Sequence, residues 1–286
     1  LVAGSLVDNI NERHHDWLML STNVRVVTRV RHPLKMRAAT VQRIRRLSPH
    51  VVSITFAGES LRDFASASFD DHVKLVLPPG PELPLTLPTI GPSGAVFPEG
   101  AVRPIMRDYT PRSFDASGTL EIEMVLHGHG PAGAWAMRAK PGDSAGIGGP
   151  KGSLVIPTSF DYHLLIGDES SLPAIARRLE ELPAVARAIV VVGVEDAAEE
   201  RDLSSRAATE IHWVTRGKGA SDAFLDAIAA LRLPPGDGYA WAAGEAAVMA
   251  SVRRALLETH KFPRERVRVS AYWKHGVAGH HENVGE

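Results

Sequence analysis

Apolar and polar positions alternate at period two through "VQRIRRL" (41–47) and "LEIEMVL" (120–126). Such alternation predicts strands with one buried and one wet face. Between residues 38 and 157 six segments read as strands: "ATVQRIRRLS", "VVSITFAG", "HVKLVLP", "LEIEMVLH", "DSAGIGG" and "SLVIP". Gly, Pro, Asp and Ser turns separate them, which is the pattern of a small barrel or sandwich. One helical stretch, "AGAWAMRAK", interrupts them, entered through Gly130–Pro131. Beyond residue 158 the period changes. The strands "YHLLIGDE", "AIVVVGVED", "EIHWVTRG", "GYAWAAGE" and "RVRVSAYW" are interleaved with "SSLPAIARRLEEL", "SDAFLDAIAALRL" and "EAAVMASVRRALLETH", which are apolar at helical spacing. Strands alternating with helices predict parallel pairing in a doubly wound sheet. The expected division is an extension over 1–35, a β-domain over 36–157 and an α/β domain with a C-terminal tail over 158–286. The Pro- and Gly-rich stretch 78–104 is expected to be a surface loop without regular structure.

Composition narrows the function. The chain has 286 residues, 44% hydrophobic, with a formal net charge of -1. That is enough for two cores, and the neutral balance argues against a nucleic-acid or membrane-surface partner. The absence of cysteine excludes disulfides, Fe–S clusters and thiolate zinc sites. No apolar run approaches the roughly 18 residues of a membrane span, and the first residues do not read as a signal peptide. The expected location is the cytoplasm.

Candidate chemistry gathers in two places. In "IMRDYTPRSF" (105–114) Arg107 and Tyr109 share a side of an extended chain, with Thr110 next to them and Asp108 pointing away. A guanidinium fork and a hydroxyl suit phosphate oxygens, and a flat phenol suits a flat ring. An Arg–Asp pair beside a half-buried tyrosine accounts for the same residues. Downstream, "HGHGPAGAWA" (127–136) sets small residues at a helix start, either an anion site or an ordinary Gly-Pro turn. In the second half, "LLIGDESSLPAI" and "WAAGEAAV" are strand-to-helix junctions at the edge where open α/β sheets bind ligands. The histidines at 14–15, 127–129 and 280–281 are read as surface or cofactor-contacting groups, and no metal site is expected. No G-x-S-x-G elbow is present.

The motifs "RDYTPRSFD", "VLHGHGPAGAWA", "PGDSAGIGGPKGS", "LLIGDESSLPAIARRLEELP", "AWAAGEAAVMASVRRAL" and "AYWKHG", in this order, resemble the siderophore-interacting protein family, a branch of the ferredoxin-reductase-like flavoproteins. "FDDHVKLVLP" and "HHE" (280–282) are similar to its NADPH-dependent ferric-chelate reductases. The resemblance covers about residues 36–282. It implies a six-stranded antiparallel FAD-binding β-barrel followed by a doubly wound NAD(P)-binding domain. It places Arg107 on the FAD phosphates, Tyr109 against the isoalloxazine and Thr110 in a hydrogen bond near it. Gly130, Pro131, Ala132 and Gly133 would receive the pyrophosphate, with His127 and Trp135 flanking the cofactor. Many relatives carry a serine at Gly133 or Ala134, so one hydroxyl contact is missing here.

The resemblance also implies a nicotinamide nucleotide, NADPH or NADH, in the second half. Asp168, Ser170 and Ser171 enter the helix beside it, although Asp168 and Glu169 sit awkwardly near a pyrophosphate. Arg216, helped by Lys218, stands where related reductases hold a 2′-phosphate, and Gly244 and Glu245 would edge the nicotinamide. Trp273 or Tyr272 would shield the flavin, or pack in a core. A bulky, anionic ferric siderophore or other ferric chelate calls for a cationic mouth, for which Lys74, Lys151, Lys274 and His72 are the candidates. No residue is catalytic in the proton-transfer sense, since the redox chemistry belongs to the cofactor. Ferredoxin in place of NAD(P)H, or a general flavin or ferredoxin–NADP reductase, are the alternative readings.

Overall fold

The computed structural model describes residues 25–92, 94–126, 130–216, 221–277, 279 and 282–284. The first half is a curled antiparallel sheet of seven strands, in the order Ile105–Tyr109, Val73–Leu77, Ser144–Gly148, Met36–Ser48, Val51–Ala57, Thr119–Val125 and Ser113–Asp115. Thr119–Val125 alternates half-buried and buried along its whole length, as its period requires. Its Leu120, Ile122 and Met124 enter a core with Ile54, Phe56, Leu75 and Ile147. Bulges at Val41/Arg43 and Arg46/Ser48 bend the long strand Met36–Ser48 and let one sheet wrap that core. The helix Pro131–Arg138 inserts Ala132, Trp135 and Ala136 into it.

Three expectations are corrected. Seven strands pair rather than six, because Ile105–Tyr109 and Ser113–Asp115 both join the sheet. Gly152–Val155, expected among the six, instead pairs with Thr28–Arg31 in a separate ribbon. Nearby, the Arg25 guanidinium bridges Asp161 and Asp237 at 2.6 Å each. The loop 78–104 carries a short hairpin, Thr89–Gly91 with Gly94–Val96.

The second half is a six-stranded mixed sheet in the order Ala208–Thr215, Arg187–Val194, Tyr162–Asp168, Gly238–Glu245, Val267–Trp273 and Glu282–Asn283. The first five are parallel and the last is antiparallel. Tyr162–Asp168 is buried throughout, as a continuous apolar run predicts for a strand covered on both faces. The helix Leu172–Glu181 packs on one face, and residues from Ser221–Ala229 and Ala246–Arg254 pack on the other. Strand order reverses between Tyr162–Asp168 and Gly238–Glu245, the place where such sheets open a crevice. The halves share a core: Phe69 and Ile156 from the first pack with Leu165, Ile175 and Trp241 of the second. Phe69 meets Trp241 edge-on at 5.4 Å.

Candidate functional site

A cleft of about 300 Å³ opens between the halves. One wall is the strand Ile105–Tyr109 with Thr110, and another is the start of the helix Pro131–Arg138. From the second half come Ser170, Pro173, Tyr272 and Trp273. The two chemical features read from separate stretches of sequence therefore face one space.

Arg107 is half-buried, gives Nη1 to the carbonyl of Met106 at 2.8 Å, and forms no ion pair with a described residue. The alternative reading, an Arg107–Asp108 pair, is not what forms. Asp108 instead accepts Lys74 Nζ at 2.6 Å from the neighbouring strand, and its Oδ1 is buried without a partner. Burial pushes the Tyr109 phenol far above its ordinary range, with Arg107 opposing, so the ring is a neutral surface at any physiological pH. Burial and Asp70 do the same to Tyr272, whose hydroxyl donates to Asp70 at 3.2 Å.

Gly130 sits at φ +88°, a conformation that side chains resist, and turns the chain into the helix. No side chain caps this end, and a Cβ added at Gly130 or Gly133 would meet nothing within 4 Å. The first-turn N–H groups of Ala132 and Gly133 have no carbonyl within the helix to bond. They are open to an anion in the cleft, with the dipole's positive end behind them. A cation without an ion pair and a helix start without a side-chain cap among the described residues, with a neutral ring and a buried hydroxyl (Thr110), fit a dinucleotide with a flat ring and a pyrophosphate.

Other expected residues lie elsewhere. Trp135 is 3% exposed and stacks on Phe56 in the sheet core, so it supports the helix without reaching the cleft. Asp168 is turned inward, accepting Ser170 N (2.9 Å), Ser170 Oγ (2.5 Å), Glu245 N (3.2 Å) and Trp273 Nε1 (2.8 Å). A Cβ on Gly244 would come within 2.7 Å of that carboxylate, so Gly244 makes room for Asp168 and is not on the cleft. Ser171 is fully buried and gives its hydroxyl to the carbonyl of Asp168. Glu245 caps its own helix by accepting Ala247 N at 2.6 Å and Val248 N at 3.0 Å. Arg216 is paired with Glu169. Of the described nucleotide-edge residues, Ser170 alone lines the cleft. Among the mouth residues His72 lines it. Lys74 and Lys151 are exposed neighbours of His72, and Lys274 bridges to Val277, a lining residue. His127 and Lys218 lie outside the described residues, as do His14, His15, His129, His280 and His281. Among the described residues no cluster of potential metal ligands occurs.

Glu123 and Val125 also line the cleft, positions the sequence marks only as one face of an alternating strand. Glu123 is nearly buried because Arg112 and Arg201 close on it. Arg112 reaches it from the turn before Ser113–Asp115 and Arg201 from the second half, so the enclosure leaves no trace in the local pattern.

Residues 40–154 match the family described as the siderophore-interacting FAD-binding domain, and residues 160–276 match the family described as siderophore-interacting protein. The NADPH-dependent ferric-chelate reductase of Escherichia coli (strain K12) is 38% identical over 257 residues, covering 89% of this chain and 99% of that protein. Ferric vibriobactin reductase ViuB of Vibrio cholerae is 31% identical over 236 residues, covering 80% and 86%. The crystal structure of a siderophore utilization protein from T. fusca superposes with a TM-score of 0.82 at 37% identity, covering 89% of this chain and 98% of that one.

Proposed function

The chain belongs to the siderophore-interacting protein family, and from that premise we propose that it is an FAD-containing reductase carrying electrons from NADPH or NADH to a ferric siderophore or other ferric chelate. The observation that carries the reading is the single cleft in which Arg107, Tyr109 and Thr110 face the Gly130–Gly133 helix start. Its residue types suit the flat ring and pyrophosphate of FAD, and it lies on a β-domain followed by an α/β domain with a mixed sheet.

Arg107 and the N–H groups of Ala132 and Gly133 would hold the pyrophosphate. Tyr109 would lie against the ring, Thr110 would orient it by a hydrogen bond, and Trp273, anchored through Asp168, would close the second-domain side. FAD, when bound, supplies the step between a two-electron donor and a one-electron acceptor. The protein's part is to bind, orient and exclude water. His72, Lys74, Lys151 and Lys274 would attract the anionic chelate, the substrate. Iron leaves as the ferrous ion, which hard oxygen donors hold less tightly.

Anaerobic stopped-flow tests the reading. FAD-loaded protein is expected to bleach with NADPH or NADH, and then to reoxidise with ferric chelates while a ferrous-specific dye reports the released iron. Absence of bleaching by both nucleotides overturns the nicotinamide donor and points to ferredoxin. Absence of reoxidation by every ferric chelate overturns the acceptor.

A further inference from the structure

The carboxyl edge of the parallel sheet carries an ion pair that the flavin site does not use. Glu169 follows the strand Tyr162–Asp168, with 6% of its side chain exposed, and its Oε2 accepts Nη2 of Arg216. Its Oε1 accepts the backbone N–H of Glu195 at 2.5 Å. One carboxylate thus ties together the ends of three adjacent strands, Tyr162–Asp168, Arg187–Val194 and Ala208–Thr215. The next residue along, Ser170, lines the cleft.

Dinucleotides bind open α/β sheets beyond this edge. An acidic side chain near the end of the second strand takes the ribose 2′-hydroxyl, and an arginine nearby takes a 2′-phosphate. Here Glu195, exposed, stands at the end of the second strand, and Arg216 at the end of the third. Both groups for sugar discrimination are present, but the arginine is already paired.

Resting on the reading of this half as a nicotinamide-nucleotide domain, we propose that Glu169 is an internal counter-ion to Arg216 and sets the preference between NADH and NADPH. A 2′-phosphate approaching Arg216 has two routes. It breaks the pair and strands a buried carboxylate, or it sits beside that carboxylate as a like charge. A free 2′-hydroxyl meets neither cost. The pair therefore holds the arginine's selectivity for phosphate in check, and NADH and NADPH bind with comparable affinity.

Titration calorimetry of the FAD-loaded full chain with 2′,5′-ADP and with 5′-AMP isolates the contribution of the 2′-phosphate. Glu169→Gln is expected to tighten 2′,5′-ADP about tenfold while 5′-AMP stays within about twofold. Arg216→Gln alone is expected to change the ratio of the two affinities by less than about threefold, whereas in the Glu169→Gln background it removes the whole gain. The single Arg216→Gln measurement stands even where Glu169→Gln does not fold. A ratio that collapses about tenfold or more in Arg216→Gln overturns the proposal, because Arg216 would then be fully available in the native protein. An unchanged ratio in folded Glu169→Gln also overturns it. Binding of neither fragment to any folded variant sinks the nucleotide-domain reading instead, and the proposal falls with it.

Discussion

Arg107 gives one N–H to its neighbour's carbonyl and presents the rest of its fork to the cleft. A charge-assisted pair of bonds to phosphate stabilises a complex by about 1.5–3 kcal/mol, so Arg107→Ala is expected to weaken FAD about 10- to 100-fold. Arg107→Lys should fall between, since an ammonium keeps the charge without the fork. Flavin fluorescence titration measures both, and FAD affinity unchanged in Arg107→Ala would remove the residue from the site. On the rim, Lys74 is half exposed and tied to Asp108. Lys74→Ala with Lys151→Ala is expected to weaken ferric-chelate binding while FAD content stays constant. Asp108→Asn frees the Lys74 charge and should tighten an anionic chelate several-fold. The same affinity in both variants would return these lysines to ordinary solvated surface.

At the scale of elements, the entry into the helix Pro131–Arg138 depends on backbone conformation more than on space. Gly130→Ala meets no neighbour but forces an L side chain to φ +88°, ψ 152°, an essentially glycine-only conformation that costs roughly 1–3 kcal/mol. Thermal melting should show that loss, together with weaker FAD binding as the first-turn N–H groups shift. Strand and helix existence was legible from period alone: "LEIEMVL" buries alternate residues and "YHLLIGD" buries all of them. Pairing was less so. Nothing within "SLVIP" says that its partner is Thr28–Arg31 rather than the main sheet, because register is set by chain segments more than a hundred residues away. Among site residues, Arg107, Tyr109 and the Gly130–Gly133 turn were legible because local spacing sets their geometry. Trp135, Glu245 and Arg216 were not. A buried stack on Phe56, a helix cap and an ion pair to Glu169 depend on neighbours that only the folded chain supplies.

The molecule as a whole carries a built-in acid sensitivity. His163 lies in the central strand, 1% exposed, edge-on to Phe160. Burial, reinforced by the nearby Arg178, moves its pKa from 6.5 down to about 3. Between those values the unfolded chain holds a proton that the folded one refuses. Stability therefore falls by about 1.4 kcal/mol per pH unit as pH drops through this window, and levels off below it. Urea denaturation from pH 4 to 7 should show that slope in the wild type and a flatter one in His163→Gln. An equal slope in both would mean that His163 titrates normally.

The core shared across the halves has a consequence for how such proteins exchange parts. Phe69 belongs by sequence to the flavin half, yet it is 1% exposed and completes the packing around Trp241, with Arg178 over its outer face at 5.0 Å. A hybrid that grafts a relative's nucleotide half onto this flavin half would bring a foreign partner to Phe69. It would inherit either a void or an overlap at the seam. The compatible graft also takes the relative's residue at position 69, because a crossover placed ahead of Phe69 would split the seven-stranded sheet, most of whose strands follow it in sequence.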